Sequence, residues 1–300
     1  MSAKVWLITG TSSGIGLALV QHVLAQGDKV IATVRSMSKY PEELKGAEPL
    51  VLDLGAPDSE IRKVGEAALK VYGQIDVLVN NAGYGLSGPV EELDMEGVRA
   101  QFQTNVFGTI VLTQSLLPHF RARKTGHIFN LSSAGAYWNY PGLGAYAASK
   151  AALDAFSESL SREVEPYNIR VIVILPGYFP TNIFAKARST ERLSTVYTDP
   201  KQGYKFIETL QQRRQESGQF GDLVKFAQRT YEIVHGVGMG EGLVESQGGK
   251  REWMRLPLGT DCGELMLAKI NTVKENVEMF EAIWRSTDVD LERLKDFAQA

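Results

Sequence analysis

The sequence predicts an α/β chain built on a doubly wound parallel sheet with helices on both faces and an extended C-terminal region. Two observations carry this. Short apolar runs rich in β-branched residues and Leu recur through the first half without strict polar alternation, the pattern of strands buried on both faces. Helical stretches separate them, and a strand–helix–strand order calls for right-handed crossovers between parallel neighbours.

The expected strands are Lys4–Thr9, Lys29–Val34, Pro49–Leu54, Ile75–Asn80, His127–Ser132 and Ile169–Leu175. The expected helices between them are Gly14–Gln26, Pro57–Tyr72, Asp94–Arg121 and Ala145–Tyr167. After Pro176 the pattern changes. Aromatics (Tyr178, Phe179, Phe184, Tyr197, Tyr204, Phe206) mix with the polar run Gln211–Glu216, which reads as a helical flap at about 178–220. Gly221–His235 reads as a helix and Glu252–Leu256 as a short last strand. A closing helix at about 261–285 carries an apolar stripe: Met266, Ile270, Val273, Val277, Phe280 and Trp284. Its expected role is packing onto the body, with a dimer seam as the alternative.

The 300 residues would allow two domains, but no linker divides them, so residues 1–300 are expected to form one domain. At 44% hydrophobic and 22% charged the chain is neither disordered nor fibrous, and a net charge of −3 provides no basic field for nucleic acid or anionic lipid. The single cysteine, Cys262, excludes an intrachain disulfide, and no run approaches the roughly 20 apolar residues that span a bilayer. A cytoplasmic protein with neither nucleic-acid nor membrane partners is the expectation. His22, His119, His127 and His235 show no metal-ligand spacing, so no metal is expected. The sequon at Asn130 falls inside an expected strand and is read as chance.

The first strand runs into Thr9-Gly10-Thr11-Ser12-Ser13-Gly14-Ile15-Gly16 and then a helix. Glycines there allow a sharp turn and close approach to a ligand, while the helix N-terminus offers free N–H groups and a positive dipole end to a pyrophosphate. The spacing is not G-x-G-x-x-G, and the same residues hold a G-x-S-x-G elbow that would make Ser12 a hydrolase nucleophile with a later histidine. Further on, Tyr146 and Lys150 stand four residues apart on one helix face. A neighbouring ammonium is expected to stabilise the phenolate and lower the tyrosine pKa, making the pair an acid–base unit. Ser133, at the end of a strand, is positioned to hold a carbonyl or alcohol oxygen.

Together these residues resemble the short-chain dehydrogenase/reductase family, its NADP-preferring single-domain branch. The match comprises the T-G-x-x-x-G-I-G turn, Asn80-Asn81-Ala82-Gly83, Asn105, Ser133, Tyr146 with Lys150, and Pro176-Gly177 followed by Thr181, in family order over residues 4–185. The resemblance implies a Rossmann-like fold and a catalytic tetrad of Asn105, Ser133, Tyr146 and Lys150. It implies a cofactor site made of Gly10, Ser12, Ser13, Gly14, Ile15, Gly16, Arg35, Ser36, Asp53, Leu54, Asn80, Ala82, Gly83, Tyr146, Lys150, Pro176, Gly177 and Thr181. Within it Asp53 would contact adenine, Asn80 brace the central strand and Thr181 meet the carboxamide. The implied reaction is hydride transfer between nicotinamide and a carbonyl or secondary alcohol, with Asn105 positioning a water. A nucleotide-binding member turned to regulation is the alternative, and homodimer and homotetramer both stay open.

The second strand ends at Arg35-Ser36 with no acidic residue. A guanidinium there suits the 2′-phosphate of NADPH, although the glycine turn has no second basic residue, and a solvated surface cation is the other reading of Arg35. Trp138, Tyr140, Tyr178, Phe179 and Phe184 are expected either to wall an apolar substrate pocket or to pack the flap on the sheet.

Overall fold

The computed structural model describes residues 3–183, 196, 197, 199, 212, 216, 220–243 and 254–289. Phe184, Tyr204, Phe206, most of the expected flap and Glu252 of the expected last strand lie outside the described residues.

The strands β1 (Val5–Ile8), β2 (Lys29–Val34), β3 (Glu48–Val51), β4 (Val77–Asn80), β5 (Gly126–Leu131), β6 (Ile169–Pro176) and β7 (Arg255–Leu258) pair in parallel as one sheet. Their order is β3-β2-β1-β4-β5-β6-β7. The chain starts in the middle, winds outward to β3, returns to β4 and winds the other way, so a crevice opens beyond the carboxyl ends of β1 and β4.

The helices are α1 (Gly14–Ala25), α2 (Asp58–Tyr72), α3 (Met95–Phe102), α4 (Gly108–Arg123), α5 (Gly144–Val164), α6 (Leu223–His235), α7 (Thr260–Met279) and α8 (Glu281–Arg285). Alternate strand residues feed two cores. Trp6, Ile8, Val77, Val79, Phe129, Ile172 and Ile174 meet α1 and α6 on one face. Val5, Leu7, Leu78, Ile128, Ile169 and Val171 meet α2, α4 and α5 on the other. Asn130, the sequon residue, is fully buried in β5, where its Nδ2 donates to Ser157 Oγ at 2.7 Å.

Four expectations need correction. β3 ends at Val51, because Asp53 already turns the chain, its Oδ1 accepting from Gly55 N–H at 2.8 Å. The last strand is Arg255–Leu258, where hydrogen bonding to β6 holds it. The helix expected over 94–121 is split by a π-helical turn, Gln103–Phe107, whose wider winding re-aims Asn105 toward Tyr84 and Ser149. Among the described residues the closing helix packs onto the body only at its start, through Cys262, Leu265 and the first stripe residue, Met266; Ile270, Val273, Val277, Phe280 and Trp284 are 42–56% exposed. Among the described residues no helix is long and apolar enough to cross a membrane, and no group of three His, Cys, Asp or Glu side chains is placed to hold a metal.

At Gly108, where α4 takes over from the π-helical turn, the helix backbone lies against the chain leaving β3. A Cβ on Gly108 would sit 2.2 Å from the Leu54 carbonyl oxygen. Gly108→Ala is therefore expected to lower stability by about 1–3 kcal/mol, read as a drop in the urea midpoint. An unchanged midpoint would contradict this account of how α4 seats.

Candidate active site

The carboxyl ends of β1, β2, β4, β5 and β6 open into a cavity of about 840 Å³. Its first wall is the glycine turn between β1 and α1. Gly10 has a φ of +69°, and a Cβ there would lie 2.7 Å from Ala82 Cα, so the turn and the segment after β4 approach as backbone on backbone. α1 starts with no acidic residue in its first turn, and Ser13 makes no side-chain cap. Its N-terminal N–H groups and positive dipole end are thus available to an anion in the cavity.

The second wall comes from β5 and α5. Ser133 caps the short 3₁₀ turn Ala134–Ala136, its Oγ accepting from Gly135 N–H at 3.0 Å. Tyr146 and Lys150 lie on successive turns at the start of α5, buried to 5% and 3% exposure. Lys150 Nζ donates to Leu131 O at 2.7 Å and stands 5.9 Å from the Tyr146 ring centroid. Burial pulls the Lys150 ammonium down to about 8, with Asp154 opposing. The Tyr146 phenol is not lowered, as its neighbour suggested; burial pushes it up to about 12, with the Ser133 hydroxyl drawing it down. Desolvation of the phenolate dominates, so Tyr146 carries its proton at neutral pH.

Of the residues expected here, Gly10, Ser12, Ser13, Gly14, Ile15, Arg35, Asp53, Leu54, Ala82, Gly83, Ser133, Tyr146, Lys150, Pro176, Gly177 and Thr181 all line the cavity. Gly16, Ser36, Asn80 and Asn105 do not. Gly16 faces Gly10, whose carbonyl oxygen would lie 2.4 Å from a Cβ. Ser36 Oγ bonds Ser38 Oγ at 2.9 Å. Asn80 points into the sheet, its Nδ2 donating to Asn130 Oδ1 at 2.7 Å and Thr113 Oγ1 at 3.0 Å. Its neighbour Asn81 lines the cavity instead. Asn105 Nδ2 donates to Tyr84 O at 2.9 Å and Ser149 Oγ at 3.1 Å, and its Oδ1 accepts from Tyr84 N–H at 3.1 Å. Ser149 Oγ in turn donates to Tyr146 O at 2.8 Å, which ties the π-helical turn to the first turn of α5.

Several lining residues escaped the sequence reading. Lys39 joins Arg35 in lining the cavity, four residues on in the turn Met37–Lys39. Asp261, from the start of α7, accepts Tyr178 N–H at 2.8 Å. Tyr84, Leu143, Ile183 and Leu265 add apolar surface beside Tyr140, Tyr178 and Phe179, whereas Trp138 does not line the cavity. Phe179 serves both expectations, since it also packs edge-on against Phe226 of α6 at 5.2 Å.

Ser12 meets no histidine. His22 packs on Tyr231, His119 bonds Ile75, His127 stacks on Phe129 and His235 pairs with Asp28 at 2.7 Å. The hydrolase reading therefore fails.

The family model for short chain dehydrogenases matches residues 4–192. The oxidoreductase YusZ of Bacillus subtilis is 34% identical over 242 residues, 78% of this chain and 85% of that protein. An NADPH-dependent 3-dehydrocapnine reductase of Ornithobacterium rhinotracheale is 35% identical over 196 residues, 61% of this chain and 68% of that protein. The crystal structure of a short-chain dehydrogenase from Streptomyces avermitilis superposes with a TM-score of 0.79 at 34% identity, covering 96% of this chain and 99% of that one.

A buried ammonium near 8 has a stability signature. Below about pH 8 the folded chain bears the full cost of a buried charge, and the cost fades as pH rises toward 10.5, where the unfolded lysine also loses its proton. The stability of Lys150→Met relative to wild type is expected to be about 2–3 kcal/mol higher at pH 7 than at pH 10.5, measured by urea unfolding at both. Equal differences at the two pH values would count against a depressed Lys150.

Proposed function

The chain belongs to the short chain dehydrogenase family and is an oxidoreductase, and from that premise we propose that it uses NADPH to interconvert a carbonyl and a secondary alcohol on a small apolar substrate. The observation that carries this is the convergence of Ser133, Tyr146 and Lys150 on the cavity that the glycine turn and the N-terminus of α1 also line. The cavity's size and backbone cradle fit a dinucleotide. When bound, the reduced nicotinamide supplies a hydride to the substrate carbon.

The chain's own groups do the rest. The Ser133 hydroxyl holds the substrate oxygen, and Tyr146, protonated at neutral pH, gives that oxygen its proton as the carbonyl becomes an alcohol. Lys150 places positive charge beside the phenol, stabilising the phenolate left behind. Asn105 acts by fixing Tyr84 and, through Ser149, the start of α5. The apolar side chains of Tyr84, Tyr140, Leu143, Phe179 and Leu265 favour an apolar substrate. Residues 1–300 work as one unit in this reading, supported by β7, which adds the C-terminal part of the chain to the sheet. A cytoplasmic location belongs to the same reading, supported by the single cysteine.

NADPH is favoured by two cations that line the cavity, Arg35 and Lys39, and by the lack of an acidic residue at the end of β2. The 3-dehydrocapnine reductase relative is itself NADPH-dependent.

Tyr146→Phe is expected to keep cofactor affinity while turnover on a panel of carbonyl compounds falls at least about a hundredfold, followed as loss of reduced-nicotinamide absorbance. Near-normal turnover would sink the proton-donor role, and bound cofactor without turnover in the wild type would favour a regulatory protein. In titrations, NADPH is expected to bind at least about tenfold tighter than NADH, and Arg35→Asp to erase the difference. Equal affinities in the wild type would refute the preference.

A further inference from the structure

The buried face of α5 carries a third ionisable group that the proposed reaction has not used. Asp154 follows Lys150 by one helical turn and is 5% exposed, and its carboxylate oxygens find no well-formed hydrogen bond, only the looser approach of the Ser132 and Tyr137 hydroxyls. A carboxylate so placed costs stability unless a charge nearby compensates it.

The groups facing it come from four places. Lys150 lies before it and Glu158 after it on α5. Ser132, at the end of β5, turns its hydroxyl toward Lys150 O at 3.5 Å. The Tyr137 hydroxyl accepts from Arg255 Nε, and Arg255, on β7, also pairs with Glu158 at 2.7 Å. Glu158 thus engages Arg255 at the surface, while the cation buried beside Asp154 is Lys150. No direct bond joins Lys150 and Asp154; Lys150 Nζ spends its bond on Leu131 O. Any effect of Asp154 on Lys150 therefore acts through the field in a poorly solvated interior, where charges interact more strongly than in water.

We propose that Asp154 is a positioning residue that acts through Lys150, its carboxylate keeping the lysine in the ammonium form that Tyr146 needs. The inference rests on the Tyr146–Lys150 reading given above. Its electrostatic half stands on the fold alone. Burial drives Lys150 toward neutrality and Asp154 opposes it; burial raises Asp154, while Ser132, Tyr137, Arg255 and Lys150 draw it back toward the carboxylate. The two groups titrate as a coupled pair. Asp154→Asn removes the charge while keeping a carbonyl oxygen that can still accept from the Ser132 and Tyr137 hydroxyls.

The test uses the full chain without cofactor. Lys150 lines the cavity, so its reactivity with acetic anhydride can be followed against pH by mass spectrometry. The wild-type midpoint is expected at about 8. In Asp154→Asn it should fall by about one pH unit, and Asp154→Glu should restore it. With NADPH and a carbonyl substrate, the alkaline limb of kcat/KM should move to lower pH in Asp154→Asn and return in Asp154→Glu. An unmoved lysine midpoint in folded Asp154→Asn overturns the proposal. So does a moved midpoint with an unmoved rate profile. A wild-type midpoint below 7 overturns it even if the variant does not fold. Failure of the underlying reading shows separately, as near-normal turnover in Tyr146→Phe for the proton-donor role and as no turnover in the wild type for the oxidoreductase.

Discussion

Thr9 sits where β1 leaves the sheet, and the bonds around it hold the two sides of the crevice together. Its hydroxyl accepts from Asn81 N–H at 3.0 Å and Ala82 N–H at 2.9 Å and donates to Val79 O at 3.3 Å. Asn81 Nδ2 donates back to Thr9 O at 2.8 Å and Gly10 O at 3.0 Å. With Thr9 fully buried, its hydroxyl has no water to turn to, so these bonds hold the β1 and β4 exits together. That contact brings Gly10 against Ala82, aims the glycine turn into α1 and leaves the helix N-terminus facing the cavity.

On this frame the chemistry depends on burial more than on proximity. Tyr146 and Lys150 are each driven toward their neutral forms by loss of water. Neutral pH therefore finds a protonated phenol beside an ammonium held only modestly above that pH. Such an arrangement suits a proton donor whose conjugate base must be stabilised only while the reaction proceeds. Its cost falls on the fold, as functional sites often store unfavourable terms that the surrounding structure supports.

The C-terminal part of the chain contributes in two ways that differ in kind. β7 extends the sheet, and the first two turns of α7 lend Asp261 and Leu265 to the cavity wall, with Cys262 buried in a neighbouring cluster. Beyond Met266 the same helix leaves its apolar stripe in the open. One element thus changes from wall to projection within a single turn, and its anchoring rests on the contact of Asp261 with Tyr178 and on the small cluster around Cys262.

Much of the fold was legible in the sequence because strands buried on both faces need nearly continuous apolar runs, and β2 and β6 sit almost where those runs stand. The glycine turn, Tyr146 and Lys150 were legible because their spacing is local: a turn and a helix face follow from sequence neighbours alone. What spacing leaves open depends on distant partners. Whether Asn80 or Asn81 faces the cavity is set by the pairing of β4 with β5, which turns Asn80 toward Asn130. Lys39 reaches the cavity from the turn Met37–Lys39 after β2, a placement that spacing alone does not give. The stripe on α7 announces a helix with an apolar side, but not whether the body comes to meet it. The sequence by itself determined the order of elements and which side chains stand at the carboxyl ends of β1 and β5 and on the first turns of α5. Only the tertiary structure decided their protonation, because the pKa of a phenol or an ammonium follows from how much water the rest of the chain removes.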